Sequence, residues 1–190
     1  MRQIRFMHFA VSCLLAMLAR PACAGDDARM GKTLPFFSEI RLGGFLHDPQ
    51  SPEAGGVDPH VTVFLQKPDF SGARMWNWAM PRAFSGVSLN LSGKTSHLHG
   101  GLAWDFDLTS RLFVAVSFGG ALHSGSTARI TPENRNAMGC PVSFRESAAL
   151  GVRLTTNWSV LASVEHLSNA GLCRENRGLT NMGLEVGYRF

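Results

Sequence analysis

The sequence predicts an all-β fold, an eight-stranded antiparallel transmembrane β-barrel, and three observations lead there. After the N-terminal segment no apolar run approaches the roughly 20 residues that a spanning helix needs. In place of such runs stand short stretches of alternating polarity bounded by turn residues, as strands show when one face meets lipid and the other the barrel interior. The stretches number eight, an even count that sets a small barrel.

The alternation is cleanest in the last stretch, 179–190, where Met182, Leu184, Val186, Tyr188 and Phe190 share one face and Gly183, Glu185, Gly187 and Arg189 the other. A strand closing on phenylalanine resembles the sorting signature of bacterial outer-membrane barrels. In 96–107, Leu98, Leu102, Trp104 and Phe106 oppose His97, His99, Asp105 and Asp107. In 110–122, Leu112, Val114, Val116 and Phe118 oppose Phe113, Ala115 and Ser117. The remaining strands are read at about 37–47, 59–68, 84–93, 142–154 and 158–168. With the apolar faces in lipid, Glu39, Arg41, Asp105, Asp107, Arg145, Arg153, Glu165, Glu185 and Arg189 turn inward. Both signs occur in similar number, so they pair in a lumen about wide enough for its own side chains, and no pore is predicted. His97-x-His99 belongs to the same inward set and reads as structural. No metal or other cofactor is predicted.

Residues 1–24 read as a secretion signal: Arg2 and Arg5 give a basic start, Phe6 to Leu18 an apolar run, and Ala22-Cys23-Ala24 a cleavage site. Residues 25–190 then form the barrel domain. Loss of Arg2, Arg5 and Arg20 leaves 15 basic against 14 acidic groups, from 18 and 14 in the whole chain. The excess positive charge therefore belongs to the signal, and no basic run interleaved with aromatics suggests a nucleic-acid partner. Cys140 and Cys173 remain as an even pair, which in an exported chain reads as a disulfide.

Loop lengths give the topology. With both termini on the periplasmic side, the joins at Asp107 to Arg111 and at Thr155-Thr156-Asn157 are periplasmic turns, and 48–58, 123–141 and 169–178 are outer loops. Two connections break this pattern: 69–83 is long on the periplasmic side, and Gly93-Lys94-Thr95 is short on the outer one. Met75, Trp76, Trp78 and Met80 suggest an interfacial piece within the former.

The stretch Glu165 to Leu172 carries the chemistry. On a strand His166 and Ser168 point to one face, where an imidazole can take a serine proton and activate the hydroxyl as a nucleophile. Asn169 and the backbone N–H groups around Gly171 would stabilise the resulting oxyanion. His-x-Ser alone is a common tripeptide, but here both residues continue the lipid face set by Trp158, Val160, Ala162 and Val164, near the outer end of the strand. Polar groups on that face are unfavourable unless used, and a lipid substrate would use them.

With its setting, His166-Leu167-Ser168-Asn169-Ala170-Gly171-Leu172 followed by Asn176, Gly178 and a closing strand resembles the PagL-type lipid A 3-O-deacylase (acyloxyacyl hydrolase) family of outer-membrane barrels. The resemblance implies an outer-membrane esterase that removes an ester-linked 3-hydroxyacyl chain from lipid A without a metal, its site toward the outer leaflet. It makes Ser168 the nucleophile, His166 the general base, and Asn169 with neighbouring backbone such as Gly171 the oxyanion site. Lipid A or lipopolysaccharide is the implied partner, with pairing of two copies left open. The family's third residue, a glutamate twelve positions after the serine, falls on Thr180. If Leu154 pairs with Trp158, paired positions sum to 312 and Glu146 lies opposite His166, so Glu146 is expected to orient the imidazole instead. The other reading of the chain is a non-catalytic barrel with a structural or adhesive role.

Overall fold

The computed structural model describes residues 36–68 and 79–190. The expected secretion signal lies outside the described residues, as do Met75, Trp76 and Trp78. Eight antiparallel strands follow one another: β1 (Phe37–Leu46), β2 (Val57–Leu65), β3 (Arg82–Ser88), β4 (His97–Asp107), β5 (Leu112–His123), β6 (Val142–Arg153), β7 (Trp158–Ser168) and β8 (Leu179–Arg189). Each pairs with its sequence neighbours, and β1 pairs with β8, so the sheet closes into a barrel without a free edge. In a bilayer only such closure lets every strand backbone group find a partner.

The predicted faces hold. Leu42, Leu98, Leu102, Phe118, Leu150, Leu184 and Val186 are exposed on the outside, while Phe45, Phe113, Leu161 and Leu167 are buried within. The strand that differs most from its predicted bounds is β3. The sequence extends β3 to residue 93, whereas it ends at Ser88, because the Asn90 side chain accepts bonds from the Ser92 and Lys94 N–H groups (3.0 and 2.9 Å) and turns the chain out of the ladder. The connection to β4 is therefore longer than the tight join expected at Gly93-Lys94-Thr95.

The lumen is filled, and its charges are paired. Near the end carrying the short turns, Glu39 bonds Arg41 (2.6 Å) and Arg82 (2.9 Å), and Asp105 bonds Arg82 (2.5 Å). Both guanidinium groups lie over the Phe64 ring, 4.5 and 4.6 Å from its centroid. Arg82 opens β3, within the stretch 69–83 that the sequence reads as a connection. Above this cluster Phe113, Ala115, Ala149 and Leu161 form an apolar layer. Gly151 has no side chain because a Cβ there would run into the Phe113 ring. Higher still, His60, Thr62, His99 and His97 form a bonded chain (2.9, 3.4 and 3.1 Å) that ends on Glu165, itself paired with Arg145 at 2.8 Å. His97 and His99 are thus engaged in structural bonds.

Removing Glu39 leaves two buried guanidinium groups without their shared carboxylate, which costs about 3–5 kcal/mol. Glu39→Ala is expected to lower the urea stability of the barrel in micelles by that order, against under about 1 kcal/mol for the exposed Asp107→Ala pair with Arg153.

Candidate active site

The β6–β7 register is the predicted one: Glu146 pairs with His166 and Phe144 with Ser168. On the other side, Thr180 of β8 pairs with His166. Along β7 and just after it Glu165, Leu167 and Asn169 are buried, whereas His166 and Ser168 are half-buried on the outer surface. Imidazole, hydroxyl and both flanking side chains therefore share the outward face at the loop-bearing end.

The contact that fixes the imidazole comes from β8. His166 Nδ1 lies 2.8 Å from Thr180 Oγ1. With the proton on Nδ1 donated to that hydroxyl, Nε2 keeps its lone pair, the form a general base requires. Gly178 packs beneath the ring: it has φ +74°, and a Cβ there would come within 3.1 Å of His166 Cε1. Only glycine meets both conditions easily. Glu146, expected from the sequence to orient His166, is the side chain flanking it on β6. Its backbone is in register, but among the described residues no hydrogen bond or ion pair joins the two, and the exposed Glu146 leaves Nδ1 to the shorter, better anchored Thr180.

Asn169 and Gly171, the expected oxyanion donors, bond within the loops around Ser168. Asn169 is 2 % exposed, and its amide N–H groups go to the Met138 and Glu175 carbonyls (2.8 and 2.7 Å). Its Oδ1 accepts the Gly171 and Cys173 N–H groups (2.9 and 3.4 Å), so Gly171 N–H is occupied as well. Asn169 instead builds the loop that follows Ser168. That loop carries Ala170 in the left-handed region (φ 53°), a conformation that costs about 1–2 kcal/mol for a residue with a Cβ. Asn176 is the amide drawn to the site: its Oδ1 accepts the Asn169 N–H at 2.8 Å, next in sequence to Ser168. The sequence offered Asn176 only as part of a motif, without a role.

Loops from around the rim support these groups. The disulfide Cys140–Cys173, with Cα atoms 6.0 Å apart, joins the loop before β6 to the loop after β7. Glu53, fully buried in the β1–β2 loop, accepts the Thr95 N–H and hydroxyl (2.8 and 2.6 Å) and the Asn136 N–H (2.8 Å), and pairs with Arg135 (3.2 Å). His47 lies between Asp58 (2.6 Å) and Glu53 (3.8 Å). Burial disfavours the charged imidazole, but the bond to Asp58 and the nearby Glu53 carboxylate outweigh it and hold His47 up at about 9. Burial likewise opposes the Glu53 carboxylate, yet His47, Thr95 and Asn136 bring it down to about 2.

Two hollows on the outer wall adjoin the site. One of about 540 Å³ lies beside Ser168, lined by Phe118, Val142, Phe144 and Leu172. Another of about 520 Å³ runs below His166 over Ala148, Ala162, Val164 and Met182, where small side chains leave a trough between larger neighbours. On the loop side a more polar hollow of about 610 Å³ is walled by Asp48, Gln50, Arg177 and Thr180.

The sequence model of the lipid A 3-O-deacylase (PagL) family matches residues 74–189, more than half of the chain. The chain belongs to the PagL family. Its barrel is similar to the crystal structure of the outer membrane enzyme PagL, with a TM-score of 0.57 at 15% identity, covering 80% of this chain and 100% of that one. It is also similar to a de novo designed transmembrane β-barrel, with a TM-score of 0.51 at 12% identity, covering 82% and 97%. At these identities the structural likeness establishes the fold. Among curated proteins none matches the chain.

The two loop groups set a pH window. His47, raised from 6.5, contributes stability in full below about pH 6.5 and loses it as pH rises through about 9. Glu53, lowered from 4.5, contributes in full above about pH 4.5 and loses it as pH falls through about 2. Hydrogen-exchange protection of the Thr95 and Asn136 amides, corrected for intrinsic rates, is expected to be greatest between pH 4.5 and 6.5 and to fall on both sides.

Proposed function

We propose that this PagL-family barrel lies in the bacterial outer membrane and hydrolyses the ester that links a 3-hydroxyacyl chain to lipid A in the outer leaflet. The observation that carries the reading is a serine and a histidine two residues apart on one strand, the imidazole 2.8 Å from Thr180 Oγ1, both turned out of a closed barrel. A soluble substrate would have no reason to meet them there. His166 stands eight residues beyond Trp158, which stacks edge-on against Tyr188 (centroids 4.8 Å) in the aromatic girdle at the opposite end. Eight residues span roughly 26 Å of strand, or about 19 Å of height at a 45° tilt. Against an apolar band about 25 Å tall, that is the level of acyl esters in the far leaflet.

In this mechanism Ser168 Oγ attacks the ester carbonyl carbon while its proton passes to His166 Nε2. The tetrahedral oxyanion is stabilised by N–H donors at the loop after Ser168, for which Asn176 Nδ2 is the candidate, its Oδ1 being held by Asn169 N–H. The C–O bond to the sugar then breaks, and the imidazolium gives its proton to the leaving alkoxide. Water, deprotonated in turn by His166, attacks the acyl-enzyme and releases the 3-hydroxy fatty acid. Thr180 holds the tautomer where the family has a glutamate. The troughs over Phe144 and Ala162 suit acyl chains, and the polar hollow by Arg177 suits the sugar head group.

Mass spectrometry of lipid A tests this reading. Cells making the protein are expected to lose one hydroxyacyl mass, and cells making Ser168→Ala to keep it. Identical spectra favour the non-catalytic structural or adhesive barrel, and a gain of mass indicates acyl transfer. Ala162→Trp, which fills the trough below His166, is expected to lower kcat/KM on defined lipid A roughly tenfold or more while the barrel still folds.

A further inference from the structure

We propose that Asp48, in the loop after β1, is a positioning residue that holds Thr180 and supplies through it the negative charge that a glutamate provides elsewhere in the family. The inference rests on the hydrolytic reading of Ser168 and His166. Thr180 bonds the imidazole at 2.8 Å but carries no charge to offset the imidazolium formed during catalysis. A carboxylate stands directly behind it. Asp48 Oδ1 accepts the Thr180 backbone N–H at 3.0 Å, and Oδ2 accepts Asn136 Nδ2 at 2.5 Å.

Three further features single Asp48 out. It is 5 % exposed, and among the described residues no cation pairs with it: both accepted bonds come from neutral donors. Its backbone has φ 37°, and the only other described non-glycine residue with positive φ is Ala170, beside Ser168. Strain of this kind is held only where surroundings fix it, and here one instance bonds Thr180 and the other lies two residues after Ser168. The residue is also pinned on its own N–H, which donates to Asn181 Oδ1 at 3.0 Å.

The alternative carboxylates are less suited. Glu165 points inward and is neutralised by Arg145 at 2.8 Å, and Glu146 is exposed without a bond to the imidazole. From Asp48 Oδ1 through Thr180 to His166 Nδ1 the bonded path sums to about 10 Å, an upper limit on the separation. That is near the screening length of physiological salt, and a buried pair is screened less. Asn136 extends the support: it also donates to the Gly178 carbonyl at 2.9 Å, below the imidazole, while its own N–H is anchored on Glu53.

The test uses the full chain, folded in detergent micelles, with release of 3-hydroxy fatty acid from defined lipid A as readout. Asp48→Asn keeps an acceptor for the Thr180 N–H and removes the charge. It is expected to lower kcat roughly tenfold or more with KM changed less than about threefold. Thr180→Glu added to Asp48→Asn brings a carboxylate back beside His166 and is expected to restore most of kcat. Three results overturn the proposal: Asp48→Asn within twofold of the parent, a loss that Thr180→Glu does not restore in a protein that still migrates as a folded barrel, or a comparable loss in Glu146→Gln with none in Asp48→Asn. A parent protein without hydrolysis removes the catalytic reading first and this assignment with it, and is recognised before any variant is made.

Discussion

A strand buried in a bilayer has no water to satisfy its backbone, and here that constraint is met by pairing β1 with β8. Closure leaves each side chain two destinations, the crowded lumen or the lipid-facing wall. All else in the molecule follows from that division. Charged residues of the lumen must neutralise one another, as Glu39, Arg41, Arg82 and Asp105 do. Polar residues on the wall need another justification, and His166, Ser168 and Thr180 stand together on one patch of it.

The rim turns that patch into a defined geometry. A strand by itself would set only the spacing and the face of His166 and Ser168. The imidazole is contacted by Thr180, the Thr180 backbone N–H is held by Asp48, and the loop after Ser168 is built by Asn169 and the Cys140–Cys173 bridge. These supports belong to loops far apart in sequence, which meet only because the barrel gathers its loops at one end. Buried Glu53, with four bonding groups from two other loops, ties that end together. Preorganisation of this sort lets a site of few residues work at a membrane surface.

The sequence made the barrel legible because an alternation of period two can be read residue by residue. The turn at Thr155-Thr156-Asn157 then fixed the β6–β7 register and set Glu146 opposite His166 without coordinates. Pairing of backbones does not say which side chains bond: the contact to the imidazole comes from Thr180 on β8, while Glu146 is exposed. Asn169 looked like an oxyanion donor because it follows the serine, but a buried carboxamide beside unpaired carbonyls bonds those first. Asp48 and Asn136 had no local signal, since their role depends on contacts across more than 80 residues of chain.

The central claim is that an outward-facing Ser168, activated by His166, reacts with acyl groups presented by the membrane. The most direct measurement is to incorporate the protein in lipid bilayers, treat it with a lipid-tailed fluorophosphonate, and locate the adduct by peptide mass spectrometry. The account predicts a single adduct on Ser168, absent in His166→Asn. Labelling confined to a loop serine such as Ser51 or Ser126, or no labelling of the folded barrel, would contradict it.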